Sequence, residues 1–209
     1  MSSSDLVRWG GLAAMAAGVL YILMGLLPNP AFGDQPLSPH HYLFILGGVL
    51  ASLLLLGGLV GLHILHAEVY GWLGTVGFLL VFISTLIIAV LGPIEMTAGY
   101  SAFSVLHSLL GVTGLVGLVG LLLLGGATVH ARVLPLPWAA LPLAILLVRV
   151  LVWFLLPPLI FRLGLDPGTH TWILTDMPPV LVGLGWALLG YALWSGTSEG
   201  FRPRLAAVR

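Results

Sequence analysis

Long apolar runs alternate along the chain with short polar breaks. Crossing about 30 Å of hydrocarbon takes about 20 mostly apolar residues. Six segments meet that length: Leu6–Leu27, His41–Leu62, Trp72–Pro93, Ala102–Val129, Leu136–Phe161 and Trp172–Trp194. The pattern predicts an all-α polytopic membrane helix bundle of six transmembrane helices. It forms a single membrane domain over residues 1–209, because no segment between the runs is long enough to bury a core of its own. The longest connection, Pro28–His40, holds four prolines and Asp34 and reads as an ordered external loop. Arg8 near the start of the first run, ahead of its uninterrupted apolar stretch, resembles the start of a signal peptide. That run is long enough to span, however, and Pro28, Asn29 and Pro30 do not form a small-x-small cleavage site, so a retained helix is expected.

The polar breaks also give a direction. Arginines concentrate on the cytoplasmic side of multi-pass proteins. With the N-terminus inside, that side holds Arg8, Arg132, Arg202, Arg204 and Arg209, against Arg162 outside and Arg149 within a span. Trp9, Trp72, Trp138 and Trp194 fall at the same predicted inner boundary, where an aromatic belt belongs. Both termini are therefore expected in the cytoplasm, with the bundle in the plasma membrane of a prokaryote. One internal similarity accompanies the runs: Leu53–Gly58 and Leu121–Gly126 both read LLLLGG. The second and fourth spans each begin and end near histidine, and the spans after them open near Trp and close near Pro. Helices two–three and four–five are thus a candidate parallel hairpin repeat.

Composition narrows the chemistry. Apolar residues make up 59% of the 209 and charged residues 7%, against about 25% charged in a soluble domain. Lipid is the solvent that suits such a chain, and the net charge of zero offers no footprint for nucleic acid. Cysteine is absent, which removes disulfides, thiolate nucleophiles and iron–sulfur clusters. Lysine is absent too, so no Schiff base to retinal or pyridoxal phosphate can form. Glycine is abundant, with Gly57-xxx-Gly61 and the run Gly111, Gly114, Gly117, Gly120 inside spans. Such faces let helix backbones approach closely, within the bundle or against a homo- or hetero-oligomeric partner.

The few ionisable residues inside the spans are the candidate site. Arg149 lies mid-span, where an arginine costs about 2.5–3.5 kcal/mol on insertion scales and should face the bundle interior. Trp153 follows on the same helical face, within reach for a guanidinium–indole contact. Asp176 is the first-choice anionic partner and Glu95 the second. His107 lies about one turn into the fourth helix. Glu95, His107, Arg149 and Asp176 all fall in the predicted outer half, which makes them a candidate ligand-binding site or a register-fixing network. Pro93, Pro178 and Pro179 loosen the helices beside them.

The histidines raise a metal or haem reading. His63 and His66 stand at i, i+3 and are weak candidates to share a metal. Glu68 joins them only if the helix has ended before it. His41 with His107, and His63 with His130, are candidate axial pairs for two haems, but the pairs would lie about 33 Å apart, at the aqueous boundaries. No HExxH, P-loop or Gly-x-Ser-x-Gly occurs. Ser104 and His107 at i, i+3 have no oxyanion-hole signature beside them. The reading is a small-molecule binding or transport protein, weighed against a haem or metal redox protein and a structural accessory subunit. In size and topology it is similar to the six-helix substrate-binding subunits of energy-coupling-factor importers, with no motif match.

Overall fold

The computed structural model describes residues 2–27, 39–97, 100–155, 158–159, 162 and 177–199. All of its long elements are helices. They are α1 (Ser3–Leu26), α2 (Pro39–His66), α3 (Gly71–Thr97), α4 (Tyr100–Ala131), the single turn α5 (Leu136–Ala139), α6 (Leu141–Val150) and α7 (Met177–Glu199). Among the described residues, five helices are long and apolar enough to cross a membrane, and α6 is a shorter apolar helix. The chain is a multi-pass membrane helix bundle.

Local sequence fixes the ends of these helices. Ser2 caps α1: its Oγ accepts from the Asp5 N–H at 3.2 Å, and the Asp5 carboxylate accepts from the Ser2 N–H at 2.9 Å. This capping box satisfies two otherwise orphaned donors and starts the helix at Ser3, three residues before the start expected from hydropathy alone. The turn from α2 to α3 closes on the His66 carbonyl, which accepts from the Val69 and Tyr70 N–H groups. Gly71 then takes φ +63°, a left-handed conformation that glycine adopts without a Cβ penalty.

The expected continuous fifth span, Leu136–Phe161, is instead broken. α5 ends at Ala139, Ala140 makes the turn, and α6 begins at Leu141. Pro142 has no N–H to return to the Trp138 carbonyl, and its ring crowds that turn. Beyond Val150 the helix widens to π geometry over Leu151–Leu155. The two LLLLGG segments differ in surroundings as well. Gly57 and Gly58 meet α1, whereas Gly125 meets Leu143 on α6 and a Cβ on Gly126 would meet nothing among the described residues. The sixth expected span is described from Met177, so its stretch Trp172–Asp176 lies outside the described residues.

The helices close a cycle of contacts in chain order: α1 packs on α2, α2 on α3, α3 on α4, α4 on α6, α6 on α7, and α7 back on α1. α1 is the hub, and small residues let it approach two neighbours. A methyl group placed on Gly10 would come 2.6 Å from the Gly61 Cα, and one on Gly58 would come 2.7 Å from the Ala14 Cβ. On its other face, a methyl on Gly18 would lie 2.4 Å from the Gly183 carbonyl oxygen. Outward faces are apolar at helical spacing, as with Leu79, Ile83, Leu86, Val90 and Ile94 on α3, all exposed. A stripe of that kind suits lipid. Trp9, Trp72, Trp138 and Trp194 gather at one end of the bundle, called the tryptophan end below, and Glu95 lies at the other.

Candidate functional site

Toward the Glu95 end, α1, α2 and α3 part around a cavity of about 130 Å³. Its walls are mostly apolar and include Met24, Phe44, Val49 and Met96. Gly48, Gly92 and Pro93 also line it, and sequence explains why space remains there. Gly92 carries no side chain, and a Cβ added to it would meet nothing within 4 Å among the described residues. Pro93 cannot donate to the Ala89 carbonyl one turn back, so α3 loses a backbone bond beside the cavity. The polar part of the lining is a pair of hydroxyls: Tyr21 Oη and Ser52 Oγ lie 3.4 Å apart, bridging α1 and α2. Arg149 stands in the last turn of α6 and is partly buried.

The expected polar residues divide among several places. His107 Nδ1 and Glu95 Oε1 lie 2.8 Å apart, an ion pair when the histidine is protonated. This contact joins the end of α3 to α4 and uses the carboxylate that stood as second choice for Arg149. The Glu95 side chain is 16% exposed and that of His107 69%, so the pair reaches the bundle surface. Arg149 forms no salt bridge with any carboxylate among the described residues. Asp176 lies outside the described residues, as does the Trp153 side chain, so neither expected contact of Arg149 falls within them.

At the tryptophan end, His63 and His66 are held by separate contacts. His63 Nδ1 hydrogen-bonds the Tyr70 hydroxyl, and the His63 ring stacks on Phe78 with centroids 4.2 Å apart. His66 is fully buried and its Nδ1–H donates to the Leu62 carbonyl at 3.0 Å, which leaves the lone pair on Nε2. That Nε2 has no hydrogen-bond partner among the described residues. Tyr70 lies within 5.8 Å of both rings, and its own ring fits against Gly74, where any side chain would collide. Burial pushes the Tyr70 phenol above its ordinary value, so it stays protonated at neutral pH. α2 does end at His66, which puts Glu68 in the following turn. Even so, no group of three His, Asp or Glu among the described residues is placed to hold a metal. For the haem pairs, α3 packs between α2 and α4, His107 is engaged by Glu95, and His63 by Tyr70.

The chain matches no protein-family model, no curated protein and no solved structure. Charge led the sequence reading to Arg149 and Glu95 and passed over Tyr21, Ser52 and Tyr70, whose hydroxyls are neutral. The available signal was a tyrosine and a serine within apolar runs on consecutive spans, since polar groups there need a partner.

Proposed function

We propose that this protein binds or transports a small amphipathic anion, taken into the cavity between α1, α2 and α3. The observation that carries this reading is an apolar cavity with one polar patch, the Tyr21–Ser52 hydroxyl pair, and Arg149 is the cation the reading assigns to the anion. Ligand sites are mostly apolar concavities with a few convergent polar groups that fix orientation. An apolar cavity of about 150 Å³ holds a benzene-sized molecule, so about 130 Å³ suits a chain of about six heavy atoms. The acyl part would lie against Met24, Phe44 and Met96, and the carboxylate would accept from the two hydroxyls. Methionine is unbranched and adapts to ligand shape. Pro93 gives α3 a place to flex, as movement of a ligand past it requires. With arginine-rich segments and the tryptophan belt inside, the cavity opens in the outer half of the bundle.

Thermal melting of the purified protein with butyrate, hexanoate and benzoate tests the reading. The expected result is a rise in melting temperature with at least one carboxylate and none with hexylamine. Arg149→Gln should fold, because removing a buried charge is favourable in a membrane interior, and should lose the carboxylate effect. A native protein that responds to no carboxylate at millimolar concentration contradicts the proposal. An Arg149→Gln variant that keeps the response but assembles differently supports a scaffold role instead.

A further inference from the structure

A second concavity lies at the opposite end, where α4 hands over to α5. It is a groove of about 630 Å³ lined by His130, Arg132, Val129, Leu134, Leu136 and Ala139. His130 and Arg132 are exposed, and neither makes a hydrogen bond or ion pair with another described residue. Leu136, 66% exposed, supplies an apolar lip beside them. The groove lies at the level of the tryptophan belt: Trp138 is on α5, and Trp9 and Trp72 are 63% and 73% exposed at the same end. Exposed tryptophans of that kind mark the headgroup region of a bilayer.

The backbone adds an independent observation. Arg132 takes φ +52° just past the end of α4, the left-handed position that terminates many helices. Glycine occupies such a position without penalty, and an L-residue there costs about 1–2 kcal/mol. A cation near the last carbonyls of α4 recovers part of that through the helix dipole. The dipole needs only a positive charge in the last turn, however. It does not call for an open groove with an apolar wall beneath two unpaired basic side chains.

We propose that this groove binds the headgroup of an anionic phospholipid, with Arg132 and His130 on the phosphate and the first acyl carbons against Leu136 and Val129. Basic pockets between membrane helices on the cytoplasmic side take lipid headgroups in this way. A soluble phosphate ester would use the two cations but gain nothing from Leu136, so the combination favours a lipid.

The test is thermal melting of the full chain in detergent micelles supplemented with phosphatidylglycerol or phosphatidylcholine, with soluble glycerol 3-phosphate as a third arm. Phosphatidylglycerol at about a hundredfold its Kd should raise the melting temperature by about 5–10 °C over phosphatidylcholine. Arg132→Gly suits the backbone and relieves its strain, so it should melt no lower in phosphatidylcholine yet lose most of that difference. His130→Gln, which leaves the left-handed residue untouched, should weaken the apparent lipid affinity severalfold. Equal shifts with the two lipids overturn the proposal, as does a phosphatidylglycerol shift that survives in both variants. A shift of the same size from glycerol 3-phosphate alone also overturns it, in favour of a soluble phosphate ligand.

Discussion

The helix pair α1–α2 is built in two ways along its length. Toward the tryptophan end, Gly10 meets Gly61 and Ala14 meets Gly58, so closely that an added methyl would overlap the facing backbone or side chain. Toward the Glu95 end, Tyr21 and Met24 face Ser52 and Gly48, and the same two helices border a cavity. In lipid there is no hydrophobic drive between helices, so side-chain size decides how near the backbones come. Small against small gives a dry seam. Large and flexible residues against small ones leave room that one partner alone cannot fill. The pair thus assigns its scaffold half and its candidate binding half by residue volume.

The largest expected break in that comparison is Gly18→Val, on the α1–α7 seam. Its Cβ would stand 2.4 Å from the Gly183 carbonyl, and backbone cannot yield as a side-chain tip can. Overpacking of this kind costs about 1–3 kcal/mol, and the variant should melt well below the native protein. Next comes a pair of identical substitutions with opposite signs. Gly10→Ala should destabilise, whereas Gly92→Ala should leave stability unchanged or raise it by up to about 1 kcal/mol, the helix-propensity gain over glycine. Equal losses at both positions, measured by thermal melting, would remove the distinction between seam and cavity. The smallest effect concerns Tyr70. Its raised pKa means the folded state holds the phenolic proton more tightly than the unfolded chain does. Stability should therefore be flat below the ordinary tyrosine value of about 10 and fall as pH rises above it. Tyr70→Phe should flatten that alkaline fall while losing about 1 kcal/mol from the His63 hydrogen bond at neutral pH.

Much of the architecture was legible because the membrane makes strong demands on sequence. Twenty apolar residues in a row leave little choice of element, and the spans at α2, α3 and α4 follow the apolar runs within a few residues. The closeness of Glu95 and His107 is also readable, since both flank the short connection between α3 and α4. Other features depend on which faces meet. Gly57-xxx-Gly61 and Gly111 with Gly114 look alike as sequence, yet Gly61 is pressed against α1 while a Cβ on Gly111 or Gly114 would meet nothing among the described residues. The break before Pro142 was written in the chain, but an apolar window that averages over Leu136–Phe161 passes across it. The polar pair Tyr21–Ser52 lies 31 residues apart, and only the packing of α1 on α2 joins them.

The proposed ligand site and mere slack in the bundle predict different behaviour for the space beside Gly92. Gly92→Leu separates the two, because a Cβ there meets nothing within 4 Å among the described residues and Gly92 lines the cavity. Its melting temperature should equal or exceed that of the native protein without ligand, and the carboxylate that stabilises the native protein should have no effect on it. A Gly92→Leu variant that melts as early as Gly18→Val, or that still gains the full carboxylate shift, would contradict the account.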